Sequence, residues 1–215
     1  MSKKPRKKSK KKLIVFFLLL LIAGGLVFFT LKLNKKDEPA EKKAKVVDEI
    51  KNFDYTVSET DTKLFKDEFK KLKKVLSQKE VDNKEYSNEI AKLFIIDFFT
   101  LDNKITKNDV GGVQFVYSGY KTTFIDKSRD EFYKYVKSNV NGDRSQELPI
   151  VETIEVASSE PVSASAELSG DQFAQISEAY KVNLTWTYKK DLGYQNKATV
   201  IVVKDNDKFA VAKMN

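Results

Sequence analysis

The spacing of apolar residues follows a helical period in the first part of the chain and a strand period in the last part. Two helices are predicted first, over residues 62–77 and 83–101, because apolar residues recur there every three or four positions. Within the second helix, residues 93–99 are apolar nearly all round, which is typical of a core helix, with Asp97 at its margin. The apolar face of the first helix consists of Phe65, Phe69, Leu72 and Leu76, and its N-cap candidates are Ser58, Thr60 and Asp61.

A third helix is predicted further along the chain, over residues 128–140. Ser128 and Glu131 have the spacing of a capping box at its start. Residues 113–117, which come before it, fit either a short strand or a helical turn. The inward-facing residues of the third helix would be Phe132, Val136 and Val140.

The connection between these helices, residues 101–112, contains several acids. A calcium loop needs oxygen ligands at fixed spacing and a closing Glu, and this segment lacks both. The chain has no His and no Cys, so imidazole and thiolate metal sites are excluded as well. We therefore expect a turn-rich connection here, and we predict no metal, no cofactor and no catalytic residue.

The last third of the chain alternates apolar and polar residues, which predicts strands with one buried face and one polar face. The segment 205–207, Asp-Asn-Asp, is a strong hairpin signal between the last two strands. Helices followed by antiparallel strands indicate an α+β fold, with two to three helices packed on a curved sheet of about four strands. The predicted strands cover residues 150–157, 162–168, 180–188, 197–204 and 208–213.

Near the N-terminus, the 19 residues Leu13–Leu31 carry no charge. As a helix they would span about 28 Å, close to the ~30 Å hydrocarbon core of a bilayer. The run is longer than the apolar region of a signal peptide and no small-residue cleavage site follows it, so we expect an uncleaved, single-pass transmembrane helix. Residues spread along this predicted membrane anchor are Leu13, Phe16, Leu20, Gly24, Phe28 and Leu31.

Eight cations and no acid precede the apolar run. The positive-inside rule therefore places the N-terminus in the cytoplasm and the rest of the chain outside, and the same cations are suited to binding anionic lipid. They equal the net charge of +8, so the remainder is close to neutral and nucleic acid is not an expected partner. These cations are Lys3, Lys4, Arg6, Lys7, Lys8, Lys10, Lys11 and Lys12.

The charge pattern predicts four segments along the chain. Residues 1–12 form the basic cytoplasmic tail, 13–31 the transmembrane helix, 32–57 a charged linker or stalk, and 58–215 an extracytoplasmic α+β domain. A helix is expected to begin within Val46–Phe53. The absence of Cys and the rarity of Arg, three of 39 basic residues, favour the envelope of a low-GC Gram-positive bacterium.

In this order of segments the chain resembles the bitopic assembly factors of type IV secretion and conjugation systems. The resemblance covers about residues 13–213 and lies in architecture, carried by Leu13–Leu31, by the helix ending at 93–99 and by the strands centred on Trp186 and Val202. It implies a nuclear-transport-factor-2-like (cystatin-like) cone, in which a bent sheet wraps around helices. It also implies a non-enzymatic scaffold that binds other envelope proteins, with homo-oligomers expected. Cell-wall synthesis and division complexes also use bitopic proteins of this shape.

Binding of a small ligand or a wall polymer is an alternative function. Tyr180, Trp186 and Tyr188 share one strand face and are suited to stacking on sugars, although aromatics with this spacing usually face the core. A buried pocket lined by Trp186 and polar groups would favour a ligand, whereas a flat apolar patch would favour a protein partner.

A pocket enzyme of the same fold is the third alternative. Such chemistry needs a buried acid beside polar donors, and the candidates are Asp97 with Tyr117 or Tyr120. The sequence contains no Gly-rich phosphate loop and no Ser nucleophile elbow, which argues against the common hydrolase and nucleotide-dependent classes.

Overall fold

The structure, a computed structural model, describes residues 44–215. The predicted basic tail, the predicted transmembrane helix and the first part of the predicted linker lie outside the described residues. Among residues 44–215, no helix combines the length and the apolar composition that a membrane crossing requires.

The described chain begins with a β-hairpin where a linker was predicted. Strand β1 (Val46–Ile50) pairs antiparallel with β2 (Tyr55–Ser58), and a short 3-10 helix joins them. Tyr55 and Val57 are buried in the main core. The prediction of a linker up to residue 57, and of a helix beginning within 46–53, is therefore wrong for this segment. Nearly all of the dense charge that suggested a linker, at residues 35–45, lies outside the described residues, and the buried alternation of the hairpin covers only Tyr55 and Val57.

The first two predicted helices are confirmed. Helix α1 (Lys63–Leu76) and helix α2 (Asn83–Phe99) pack against each other, and α2 contacts all four strands of the main sheet. The cap of α1 is Thr62, whose hydroxyl accepts from the Phe65 amide at 3.2 Å, and not one of the three residues predicted.

The main sheet is an antiparallel meander of four strands in the order β3-β4-β5-β6. The strands are β3 (Val151–Val162), β4 (Ala179–Tyr188), β5 (Lys197–Asp205) and β6 (Lys208–Met214). The α+β class and the number of strands in this sheet agree with the prediction. Asn206, in the tight turn between β5 and β6, has the positive φ of 58° that this kind of hairpin needs.

The third helix lies earlier in the chain than predicted. Helix α3 (Lys121–Asp130) ends where the predicted helix was to begin, and residues after it form turns. Tyr133 explains the turns, since its hydroxyl donates to the Phe98 carbonyl at 2.7 Å and accepts from the Gly111 amide at 3.1 Å. Val136 is buried as predicted, but Val140 is exposed. Residues 113–117 contain both predicted alternatives, a 3-10 turn (Val113–Phe115) and then a bridge from Val116 to β6.

The connection from β3 to β4 covers part of the second face of the sheet. The strand predicted over 162–168 is absent, because β3 ends at Val162 and a one-turn helix, α4 (Ala164–Glu167), follows. Ala164 and Leu168 are four residues apart, a spacing that suits a helix, and both are buried. They form a second apolar cluster with Phe173, Ala179, Ile201 and Val203.

Candidate functional site

The three aromatic residues predicted on one face of β4 lie against the main core. Trp186 is 3% exposed and its ring lies 4.8 Å from that of Phe99, and the Tyr180 ring lies 5.7 Å from that of Phe209. The first contact joins β4 to α2 and the second joins β4 to β6, and Phe99, Trp186 and Phe209 all belong to the main core cluster. Trp186 is therefore a packing residue, and its ring is covered by protein.

Tyr188 lies at the end of the same strand face and is half-buried. Its hydroxyl donates to the Gln195 carbonyl at 2.5 Å, and its ring is 6.3 Å from that of Tyr194. Burial raises the pKa of Tyr188 to about 12. The residue is thus neutral at physiological pH and fixes the β4–β5 loop.

Asp97 forms a buried ion pair at the C-terminal end of α2. Its Oδ1 accepts from Lys104 Nζ at 2.5 Å and its Oδ2 accepts from the Gly112 amide at 2.6 Å. Burial alone would lower the pKa of the Lys104 ammonium, but Asp97, with Asp109 and Asp61 around it, raises that pKa above its ordinary value. The Lys104 ammonium therefore stays charged, and its bond to Asp97 holds the loop after α2 against the helix.

The close approach of this loop also requires glycine. A Cβ at Gly111 would lie 2.1 Å from the Asp97 carbonyl oxygen, and Gly112 has a φ of +78°. Since both carboxylate oxygens of Asp97 already accept hydrogen bonds, the arrangement is that of a structural clamp.

An open cleft lies between α3 and the edge strand β6. Its volume is about 560 Å³, within the range of about 300–1,000 Å³ usual for ligand and peptide sites. The floor and walls are mainly apolar, while Thr123, Lys127, Glu131 and Lys213 contribute polar groups. The apolar lining comes from Phe94, Val116, Tyr120, Phe124, Val211 and Met214.

The charged groups of the cleft lie at its rim. Within residues 44–215, neither Lys127 nor Glu131 takes part in an ion pair, and the Lys213 ammonium donates to the Glu167 carbonyl at 3.1 Å. All three side chains are exposed at the rim. An apolar floor with two lysines and one glutamate at its rim can bind an amphipathic group, but it offers no activated nucleophile.

The predicted site residues and this cleft coincide only in part. Tyr120 lines the cleft, and Phe94 does so one helical turn before Asp97, whereas Asp97, Tyr180, Trp186 and Tyr188 do not. The sequence reasoning missed the cleft because it placed the third helix too late. The signal that could have found it is the pair Phe124 and Ser128, which have the i, i+4 spacing of an inward helix face.

A buried ionic network between α1 and α2 was also missed. Lys92 donates to Glu68 at 2.8 Å and to Glu89, whose second carboxylate oxygen has no hydrogen-bond partner. The Glu89 side chain is fully buried. Burial raises the pKa of Glu89 to about 7, although Lys92 acts in the opposite direction. In the sequence, Glu89 and Lys92 look like an ordinary exposed i, i+3 pair.

Acidic residues in the described part of the chain do not gather, three or more together, in an arrangement that could hold a metal ion. A comparison with known proteins finds no matching family model, no similar curated protein and no similar solved structure. The function is therefore argued from the chain itself.

Proposed function

We propose that this protein is a membrane-anchored, non-enzymatic scaffold or assembly factor of a bacterial envelope complex, of the conjugation or type IV secretion class. The N-terminus lies in the cytoplasm and the α+β domain outside the cell membrane. The domain acts through contacts with other envelope proteins and with further copies of itself.

The single observation that carries this proposal is the uncharged run Leu13–Leu31 behind eight cations. A run of this length and composition is that of a single membrane span, and the cations fix its orientation. A protein held at the membrane by one helix, with one further domain, is suited to organising neighbours there.

The architecture of the domain supports the same proposal. Helix α2 packs on one face of a four-stranded antiparallel sheet, with α1 against it, which is the layer order expected of a nuclear-transport-factor-2-like cone. We infer that finer fold from the element order. The cleft at the α3–β6 side is open and mainly apolar, and Asp97, the acid proposed for a pocket enzyme, is held in an ion pair.

Small-ligand binding remains the second candidate, because the cleft has the volume of a ligand site. Stacking of a wall polymer on Trp186 loses support, since that ring is buried against Phe99. A wall polymer bound in the cleft would have to stack on the rings of Tyr120 and Phe124 instead of Trp186.

The test is chemical crosslinking of the full chain in native membranes, followed by purification and mass spectrometry. We expect channel and ATPase subunits of a secretion or conjugation machine to co-purify. Recovery of wall-synthesis or division proteins would assign the scaffold to one of those complexes instead. Recovery of the protein alone would contradict a scaffold role. A matched chain with Leu13–Leu31 deleted should lose these partners.

A further inference from the structure

The sheet edge beside the cleft lies along the end of β6. Within the described part of the chain, β6 has β5 on one side and no strand of its own sheet on the other. An unpaired sheet edge presents main-chain N–H and C=O groups to any extended chain that reaches it.

Residues 116–117 of the chain already pair with part of this edge. Val116 forms a parallel bridge with Val211, and the Tyr117 amide donates to the Val211 carbonyl at 2.9 Å. After Tyr117 the chain leaves the edge through a 3-10 turn (Ser118–Tyr120) and enters α3. The position next to β6 therefore accepts extended backbone, and among residues 44–215 it is filled only at Val211.

The main-chain groups of Met214 point toward the open side. Asn215 exchanges two hydrogen bonds with Thr199 on β5, at 3.0 and 3.1 Å. Because antiparallel residues alternate between facing the partner strand and facing away, the N–H and C=O of Met214 face away from β5. The Met214 side chain and the residues Ala212 and Lys213 line the cleft. The open edge and the cleft are thus one continuous surface.

The residues of the cleft outside β6 indicate the chemical character of the segment that can bind there. Phe124, Tyr120 and Phe94 provide an apolar floor, and Lys127 stands at the rim without an ion pair among the described residues. A carboxylate next to an apolar side chain would complement this surface.

We propose that the β6 edge, between Val211 and Met214, binds an extended segment of a partner protein, which adds a short strand to the sheet beneath α3. The segment places an apolar side chain on Phe124 and a carboxylate near Lys127. This inference rests on the proposed scaffold function and names the surface through which one partner is held.

The test uses the full chain in intact cells, with photoreactive benzoylphenylalanine replacing Thr123, which lines the cleft. The matched control has the same group at Thr122, which is equally exposed but does not line the cleft. Mass spectrometry then identifies the crosslinked peptide. We expect an adduct with a segment of another envelope protein from position 123 and none from position 122.

Two substitutions separate strand addition from general contact. Met214→Pro removes the outward N–H without breaking a bond to β5, so the adduct should fall at least about tenfold while the melting temperature stays close to that of the parent chain. Met214→Ala keeps the N–H and should retain most of the adduct. Lys127→Glu should lower the yield of the crosslinked adduct by about twofold to fivefold or more, which is the change expected from the loss of a surface ion pair.

Several outcomes would overturn the inference: an adduct that persists in Met214→Pro, an adduct with lipid or with a second copy of this chain, or no adduct at all. If partners still co-purify with the unmodified chain while position 123 gives no adduct, the edge proposal fails and the scaffold proposal stands. If no partners co-purify either, both fail.

Discussion

The hydroxyl oxygens of Tyr55 and Tyr86 lie 2.9 Å apart in the core, and the Tyr55 hydroxyl also donates to the Phe209 carbonyl at 3.2 Å. These bonds join the N-terminal hairpin to α2 and to β6. Burial raises the pKa of both tyrosines, so both stay neutral and keep their protons for these bonds. The hairpin is therefore part of the domain, although its sequence looks like a linker.

The first prediction concerns the domain boundary. Residues 44–215 should fold alone, whereas residues 58–215 should melt at a much lower temperature or aggregate, because removal of Tyr55 and Val57 exposes the core beneath them. Circular dichroism melting curves of the two fragments provide the measurement. Equal melting temperatures would show that the hairpin is dispensable.

A single substitution tests the tyrosine bond itself. Tyr55→Phe in the full chain should cost about 1–2 kcal/mol of unfolding free energy, since it leaves a buried partner unsatisfied. Tyr135→Phe is the matched control, because Tyr135 is 75% exposed, and it should leave the unfolding free energy unchanged. A loss no larger than that of the control would contradict the role given to Tyr55.

The second prediction concerns the Asp97–Lys104 pair. Asp97→Asn should destabilise the full chain by about 3–5 kcal/mol, because it leaves the buried Lys104 ammonium without a countercharge. Denaturant unfolding in detergent provides the measurement. The double substitution Asp97→Leu with Lys104→Met should recover much of the loss, and a double variant as unstable as Asp97→Asn would argue against the charge explanation.

The third prediction is a pH dependence from Glu89. Its pKa is raised to about 7 by burial, above its unfolded value, so the folded state binds a proton that the unfolded state releases. Stability from this group is therefore present at pH 5 and lost as pH rises to about 7. Burial also acts on Glu68, but bonds from Lys71 and Lys92 lower its pKa, so the stability from Glu68 is present above about pH 4.5 and is lost as the pH falls below that value.

Unfolding free energies between pH 5 and pH 8 test this assignment. The parent chain should lose stability across that interval, and Glu89→Gln should flatten the slope. Glu152→Gln, at an exposed position of β3, is the matched control and should keep the parent slope. An unchanged slope in Glu89→Gln would refute the assignment.

The fourth prediction concerns Arg144, which connects the loop at residues 102–104 to the loop that contains Lys137. Its guanidinium donates to three carbonyls, those of Lys104 at 2.7 Å, Lys137 at 3.2 Å and Asp102 at 2.5 Å. Arg144→Lys should speed proteolytic cleavage within residues 131–147 severalfold, because a single ammonium cannot reproduce the three hydrogen bonds of the planar guanidinium.

Arg129→Lys is the control for Arg144→Lys, since Arg129 makes only surface ion pairs with Asp126 and Asp130. Its cleavage rate should match that of the parent chain. Equal rates for both variants would mean that the three carbonyl bonds do not order the loops.

The sequence predicted the elements with long, regular patterns. The helices α1 and α2 and the strands β4, β5 and β6 each show an extended apolar period, and they lie within a few residues of their predicted positions. The short elements were misassigned, because two buried residues such as Tyr55 and Val57 are too few to show a period. The segment 128–140 has a helical pattern in the sequence. The hydrogen bonds of the Tyr133 hydroxyl to the backbone of Phe98 and Gly111 override it.

The cleft was missed for a related reason, since only the spacing of Phe124 and Ser128 in the sequence pointed to the helix that forms one wall. It is formed by residues far apart in sequence, such as Phe94, Phe124 and Met214, and their proximity depends on where α3 ends and on the strand order. For the aromatic face of β4 the sequence left sugar stacking and core packing open, and the structure shows Trp186 packed in the core. Burial of Glu89 and Lys92 could not be foreseen, because the pair has the spacing of exposed residues and is covered only when α1 packs on α2.

The central claim, that one span holds the α+β domain outside the membrane, can be tested by cysteine labelling. The chain has no Cys, so single substitutions give unambiguous signals. Ser177→Cys places a thiol on an exposed loop of the domain, and Ser2→Cys places one in the basic tail. Intact cells are treated with a membrane-impermeant maleimide. We expect Ser177→Cys to be labelled at once and Ser2→Cys only after permeabilisation, whereas protection of Ser177→Cys in intact cells would contradict the account.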